Sequence, residues 1–544
     1  MDQEVLRQQE RERALREQQE ARPDVRMPAV DVSPTDQLPS AETPCFAIGE
    51  IRLIGDGAGR FRWALAAADP GEDPATGRCL GTQGVNVVMK RVQNAIVARG
   101  FVTTRVLAAP QDLATGVLTL TLVPGRIHAI RFAESDVHAT AWNAVPARAG
   151  DLLNLRDIEQ ALENFQRIPS VAADIQIIPA QADDAGPGDS DLVISWHRRK
   201  PVRASVTLDD AGSEATGKLQ AGLTVSLDNL TGANDLFYAN YGHGVFNGRG
   251  RGTESWTAHW DVPTGYWLLG TTVSRYDYHQ AVAGPFETYV YSGSSQNAEL
   301  RGARLLFRNA TAKFGTYGRG WWKESDNFIN DVEIEVQRRR TAGWEVGFTH
   351  KQFLGKATLD ASIAYRRGTG AFDALASPEE QFHASDPSTP LEGTSRMKVI
   401  TADAQLAVPF QLGHQALRYS ASWRAQWNRT PLTSQDRFAI GGRYTVRGFD
   451  GEVSLTGERG WLVRNDLGLA LGGGQELYVG ADYGHVGGPS AVWQLGDHLG
   501  GMAIGLRGGW KGMSWNAFVG APLVKPAGYP TAYTTFGFNM GWSL

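Results

Sequence analysis

The sequence predicts a mainly β protein: a 16-stranded antiparallel transmembrane β-barrel, preceded by two small α+β domains and an N-terminal helix. Three observations carry this prediction. From Pro201 to Leu544 the chain is a succession of segments, about 16 in all, in which apolar and polar residues alternate. Strands of that kind have one apolar and one polar face, as a wall between lipid and water requires. No run of 18 or more apolar residues occurs, so no helix is expected to cross a membrane. Between Cys45 and Lys200 the texture differs, with short strands interleaved with amphipathic helices.

Composition narrows the function. The 544 residues allow several domains, and a net charge of -5 argues against nucleic acid as a partner. Aromatic residues at 10%, with 16 tryptophans, suit the interfacial girdles of a membrane barrel. The 11 histidines are scattered without HExxH spacing, and neither a G-x-S-x-G elbow nor a P-loop is present. No catalytic residue, metal or cofactor is therefore expected. The chain reads as a conduit.

Taken in order, residues 1–22 are dominated by Glu, Arg, Gln, Leu and Ala without Gly or Pro. Their few apolar positions, Val5, Leu6, Ala14, Leu15 and Ala21, make no face wide enough to pack on a core. A helix polar all round is surrounded by polar walls, solvated or unstable, so a frayed tail is the alternative. Residues 23–44 carry Pro23, Pro28, Pro34, Pro39 and Pro44 and read as an extended linker. In residues 45–126, Phe46–Ile54 reads as a strand. Val85–Arg99 then reads as a helix capped by Gly100, followed by strands over Val102–Leu107 and Val117–Val123. Residues 127–200 repeat the pattern: strand Ile127–Phe132, a helix over about 156–165, and strands Ala173–Pro179 and Asp191–Trp196. Residues 201–544 are the barrel. Its last strand alternates most cleanly, with Phe536, Phe538, Met540, Trp542 and Leu544 against Gly537, Asn539, Gly541 and Ser543. The adjacent carboxylates Asp183-Asp184 and Asp209-Asp210 read as solvated turns, and Glu379-Glu380 as part of a long polar loop over Asp373–Thr394.

Between two of the alternating segments, over about residues 430–459, lies a glycine-rich loop containing R-F-A-I-G-G-R-Y-T-V-R-G-F, Arg437–Phe449. Five strands follow it, so it joins strands 11 and 12. Further on, Leu477, Val479, Ala481 and Tyr483 share one parity, which places Gly480, Asp482 and Gly484 on the other, lumenal face.

Val446-Arg447-Gly448-Phe449 resembles the sixth-loop signature of the Omp85 superfamily, and Gly480-Ala481-Asp482-Tyr483-Gly484 its G-x-D-x-G strand motif. The resemblance implies that the loop folds into the barrel and that Arg447 pairs with Asp482 on the wall between Gly480 and Gly484. The two small units resemble POTRA domains, and the whole chain resembles the two-partner secretion transporters of that superfamily. By resemblance, the N-terminal helix plugs the lumen. The barrel lies in the bacterial outer membrane, with its lipid and lipopolysaccharide, and the POTRA units lie in the periplasm. An unfolded exoprotein, an adhesin, cytolysin or contact-dependent inhibition toxin, docks by its N-terminal secretion domain and passes through the barrel. Docking is expected on the edge strand Val102, Thr103, Thr104, Arg105, Val106 and Leu107 by β-augmentation. The terminal strand resembles the signal read by the barrel assembly machinery, although Leu544 stands where the family usually has Phe. The chain is expected to act as a monomer. It is read as a mature form restarted with methionine, since its N-terminus has no apolar h-region.

Cys45 and Cys79 have no metal-ligand spacing, and in an exported domain an even count reads as one disulfide. It would be worth roughly 3–4 kcal/mol on the chain-entropy model; two unpaired thiols are the alternative. An insertase of the same superfamily is the alternative function, disfavoured by the presence of only two POTRA units. A diffusion porin would leave residues 45–200 without a use.

Overall fold

In the first small unit, Val117–Val123 is the centre of a three-stranded sheet. It runs parallel to Glu50–Ile54 and antiparallel to Arg105–Leu107. Its alternation buries Leu118, Leu120 and Leu122. Helix Thr82–Ala98 covers them with Val88, Val92 and Ile96, one stripe at helical spacing. This computed structural model describes residues 2–20, 23–27, 37–248 and 250–544; Ala21 and Arg22 of the expected helix and residues 28–36 of the expected linker lie outside the described residues.

Three expectations need correction here. The strand Phe46–Ile54 is broken: Phe46–Ala47 pairs with Cys79–Leu80, while Glu50–Ile54 joins the sheet. Buried Ile48 marks the change of partner, and the Cys45–Cys79 disulfide closes the short ladder. The expected linker is anchored where it is described. Leu38 is buried, and Glu42 accepts from the backbone N–H groups of Gly81, Gln83 and Gly84 at 2.8–3.0 Å, capping the helix with a carboxylate.

The third correction concerns the edge strand Val102–Leu107, which is a strand only over Arg105–Leu107. Val102 packs toward the core of the second unit, Thr103 lies against Gly125, and the buried Thr104 hydroxyl accepts from Gly125 N–H at 3.1 Å. Nor is the edge open. Gln93 donates from Nε2 to Thr104 O at 2.8 Å and accepts at Oε1 from Val106 N–H at 2.7 Å. A side-chain amide presents a donor and an acceptor as a peptide does, so Gln93 takes the place of a neighbouring strand and blunts the edge. Gln93→Ala should release both groups, lowering local stability by about 1–3 kcal/mol. Hydrogen exchange at the Val106 amide reads this directly; unchanged protection would mean that Gln93 does not hold the edge.

The second unit repeats the plan, with Ser190–Arg198 between Ile127–Phe132 and Val171–Pro179. Helix Leu155–Gln166 buries Ile158, Ala161, Leu162 and Phe165 against this sheet. The unit is bonded to the barrel at one short turn and the strand end beside it: Asn164 donates to Gly265 O at 2.8 Å, and Asn143 to Pro263 O at 3.1 Å.

The barrel strands, β1–β16 in chain order, begin with Val202–Asp209, Gln220–Asp228, Leu236–Gly244, Arg251–Thr264, Trp267–Ala283, Thr288–Arg308, Ala312–Ile329 and Arg339–Leu354. Strands β9–β16 are Ala357–Thr369, Lys398–Leu412, Gln415–Asn428, Arg459–Gly472, Gln475–Gly487, His498–Trp510, Met513–Val524 and Thr535–Ser543. Every neighbouring pair is antiparallel, and β16 closes on β1 from Asn539↔Asp209 to Ser543↔Ser205. Closure leaves no free edge, which a wall in lipid demands. Phe536, Met540 and Trp542 of β16 point outward, as do Leu477, Val479 and Tyr483 of β13. The loop over Asp373–Thr394 contains helix Pro378–Ser385, started by the reciprocal capping of Ser377 and Glu380.

Candidate functional site in the barrel lumen

The chain between β11 and β12 does not stay outside the barrel. It turns inward as a short hairpin, Phe438–Ile440 paired with Leu455–Gly457. Apolar side chains explain why it stays. Phe438, Ile440, Val446, Phe449 and Leu455 form a buried cluster with Leu462 of β12, Val486 of β13, Leu499 of β14 and Tyr529. Phe449 meets Tyr529 edge-on at 5.8 Å between ring centroids.

At the tip the backbone touches the wall directly. Gly448 has φ 91°, and a Cβ there would lie 2.4 Å from Ala521 O of β15. Only glycine fits that conformation and that gap. A Cβ on Gly501 of β14 would lie 1.9 Å from Arg447 O, so the wall is hollowed to match.

The guanidinium of Arg447 lies against Asp482. Nε donates to Oδ2 and Nη2 to Oδ1, each at 2.7 Å, and the Arg447 backbone N–H donates to Oδ2 at 3.0 Å. Arg447 is 3% exposed and Asp482 5%, so this bidentate pair is formed largely out of water. Gly480 leaves the room: a Cβ there would stand 2.4 Å from Nη2. Gly484 lies under Ile440 and Val446, which a Cβ would meet at 2.9–3.0 Å.

Two further acids belong to the site. Asp466 of β12, directly opposite Gly480, accepts from Arg447 Nη2 at 2.6 Å and from Arg507 at 3.2 Å. It has lumenal parity in its strand, so the same alternation that marks Asp482 marks it. Asp210, read as a solvated turn, instead binds Arg443, the other arginine of the loop, and accepts from Phe538 N–H at 2.8 Å. That assignment fails because the inward loop, distant in sequence, covers the turn.

The N-terminal helix, Asp2–Gln19, lies inside the barrel. It touches opposing walls: Tyr276 of β5 donates to Glu4 at 3.2 Å, Arg13 binds Asp403 of β10 at 2.7 Å, and Arg16 binds Glu299 of β6 at 3.2 Å. Arg424 of β11 grips Glu10 through two bonds of 2.7 and 2.8 Å. Arg7 donates to Gly451 O of the inward loop at 2.8 Å. Beside the helix remain cavities of about 920 and 470 Å³, lined by charged residues of helix, loop and wall. A helix without an apolar face is stable here because the walls supply its partners. Among the described residues no cluster of acids, histidines and cysteines could hold a metal ion.

A sixteen-stranded barrel with an inward loop, a lumenal helix and two periplasm-type units narrows the possible relatives. The model of the haemolysin secretion/activation protein ShlB/FhaC/HecB family matches residues 188–508. The chain belongs to this family. The family's own type of POTRA domain, ShlB-type, matches residues 46–125, and a second POTRA model matches residues 126–179. Similar proteins include the outer membrane transporter CdiB-2 of Burkholderia pseudomallei strain 1026b, 35% identical over 516 residues, or 92% of this chain and 86% of that protein. The hemolysin transporter protein ShlB of Serratia marcescens is 23% identical over 414 residues, covering 75% of this chain and 71% of that one. Among solved structures, CdiB from Acinetobacter baumannii superposes with a TM-score of 0.86 at 29% identity, over 100% of this chain and 99% of that one. As a member of the ShlB/FhaC/HecB family, this protein is a two-partner secretion transporter of the outer membrane, with its POTRA domains in the periplasm.

Proposed function

We propose that the lumen described above is the export path, and that Arg447, Asp482 and the N-terminal helix are its lock and its plug. The observation carrying this reading is the helix itself, a polar rod held across a water-lined channel by ion pairs to β6, β10 and β11. The Arg13–Asp403 pair is partly exposed to the lumen, and buried Glu299 keeps Arg319 at 3.1 Å as a second partner when Arg16 leaves, so the rod can be removed without stranding that carboxylate unpaired. The secreted partner is an adhesin, cytolysin or contact-dependent inhibition toxin, gripped through its N-terminal secretion domain. In the first POTRA unit, Gln93 fills the outer side of Arg105–Leu107. The remaining edge, Glu50–Ile54, is the better candidate for β-augmentation. The protein works as a monomer, seated in lipopolysaccharide-bearing membrane by the barrel assembly machinery.

Co-expression with the exoprotein encoded beside it tests the reading. Cargo should reach the medium only when this protein is present. Cargo retained in the periplasm regardless would leave the transporter without its proposed substrate. An insertase would instead alter the amounts of other barrels in the membrane.

A further inference from the structure

Residues 23–27, between the lumenal helix and the first POTRA unit, are held as an extended peptide is held by a receptor. Their exposure alternates, with Asp24 and Arg26 outward and Val25 and Met27 inward. The inward pair packs on the apolar core of the second POTRA unit. The backbone N–H groups of Val25 and Met27 donate to Glu163 and Glu159 of helix Leu155–Gln166, each at 2.9 Å. Val25 O accepts from Arg308 at the end of β6.

The side chains are matched as well. Asp24 lies between Lys313 of β7 and Lys351 of β8, at 2.9 and 2.6 Å, and Arg26 stacks over Phe353 with its guanidinium 4.3 Å from the ring centroid. The receptor is prebuilt. Glu159 is fully buried, the Arg308 side chain is 2% exposed, and the two meet at 2.9 Å; Arg308 also binds Glu163 at 2.8 Å. Together they make a cleft between the second POTRA unit and the short-turn rim of the barrel. It offers acceptors to alternate backbone donors and a donor to the carbonyl between them, with apolar and charged sites at alternate positions.

We propose that this cleft is a binding site for the extended exoprotein at the mouth of the barrel, filled at rest by residues 23–27. The proposal rests on the export reading above. Main-chain bonding makes the site tolerant of sequence, as a carrier of long unfolded chains requires. Its location explains why the chain's own segment should be the resting occupant. Only residues 20–22 separate that segment from the helix, so withdrawing the helix toward the periplasm pulls on it directly. Cargo entry and helix release then compete for one cleft, and each cargo segment that binds there opposes the helix's return.

Two measurements test this in the full-length membrane-embedded protein. In the first, Lys351 is replaced by photoreactive benzoylphenylalanine, which leaves the Glu159–Arg308–Glu163 receptor intact. The exoprotein is fused to a fast-folding domain that halts it during export, and Asn297, which lines the lumen cavity, carries the same probe as a control. At rest, the probe at position 351 should crosslink to residues 23–27; with halted exoprotein it should crosslink to the exoprotein. Exoprotein adducts at 297 with none at 351 would overturn the cleft and leave the export reading standing. Adducts at neither position would overturn the cleft, and if the unfused exoprotein also failed to reach the medium the export reading would fall with it.

The second measurement uses a fluorescent peptide of sequence Pro23–Met27, with the same peptide N-methylated at the Val25 and Met27 nitrogens as control. Substituting Val25→Pro and Met27→Pro together removes both N–H donors of the resting segment. That variant should bind the peptide at least about 10-fold more tightly than the wild type, a difference of about 1.4 kcal/mol. Equal binding by the two proteins, or equal binding of the N-methylated peptide, would overturn the proposal.

Discussion

Replacing Arg447 by alanine is expected to abolish most export while the barrel still reaches the membrane. Asp482, buried under the loop, would keep the backbone N–H of residue 447 but, as a charged partner, would be left with Arg464, whose Nε is 3.8 Å away. Losing one member of a buried pair costs about 3–5 kcal/mol, enough to shift the closed loop's population by a factor of a hundred or more. Asp482→Ala should be severe but milder, because Arg447 retains Asp466 at 2.6 Å. Asp466→Ala should be milder still, since its carboxylate is also held by Arg507 and is partly wet. Arg447→Lys cannot reproduce a bidentate bond to Asp482 together with a third to Asp466, and should restore export only in part. The Arg447→Ala/Asp482→Ala variant should be little worse than Arg447→Ala alone. Export and single-channel conductance of all five variants decide the matter; simply additive losses for Arg447 and Asp482 would mean that no lock exists.

Deleting residues 2–20 should turn a nearly closed pore into an open one. A helix with its side chains is about 10–12 Å across, so its removal frees a cross-section wide enough for an extended chain. Planar-bilayer recordings should show open-channel events several-fold larger or more frequent. Single substitutions should do much less. Glu10→Ala removes the two bonds to Arg424 but leaves Arg13–Asp403 and Arg16–Glu299 in place. If the deletion left conductance unchanged, the helix would not be the obstruction. If Glu10→Ala alone matched it, one ion pair would carry the closure.

Local pattern made much of this protein legible. Alternation alone orients β13 with Leu477 and Val479 outward and Asp482 inward, because side chains leave a strand on opposite faces with period two. It would have yielded Asp466 by the same argument. The count of five strands after Phe449 places the inward loop between β11 and β12, where it lies. The lack of an apolar face on residues 2–19 required polar surroundings, and the lumen supplies them.

Tertiary structure decided where one side chain could serve two purposes. Arg105–Leu107 has the composition of an open edge, yet Gln93, from a helix twelve residues earlier, fills it. Asp210 has the look of a wet turn until Arg443 arrives from more than two hundred residues away. Residues 23–27 have the composition of a linker, and their alternation gains meaning only against the Glu159–Arg308–Glu163 receptor. The sequence by itself determined which residues face lipid, which face water and where the chain must turn, because those follow from short-range periodicity and backbone sterics. Which charges pair across the lumen, and which backbone donors find an acceptor, depends on closure of the barrel. Closure brings together residues hundreds of positions apart, and no local signal encodes that distance.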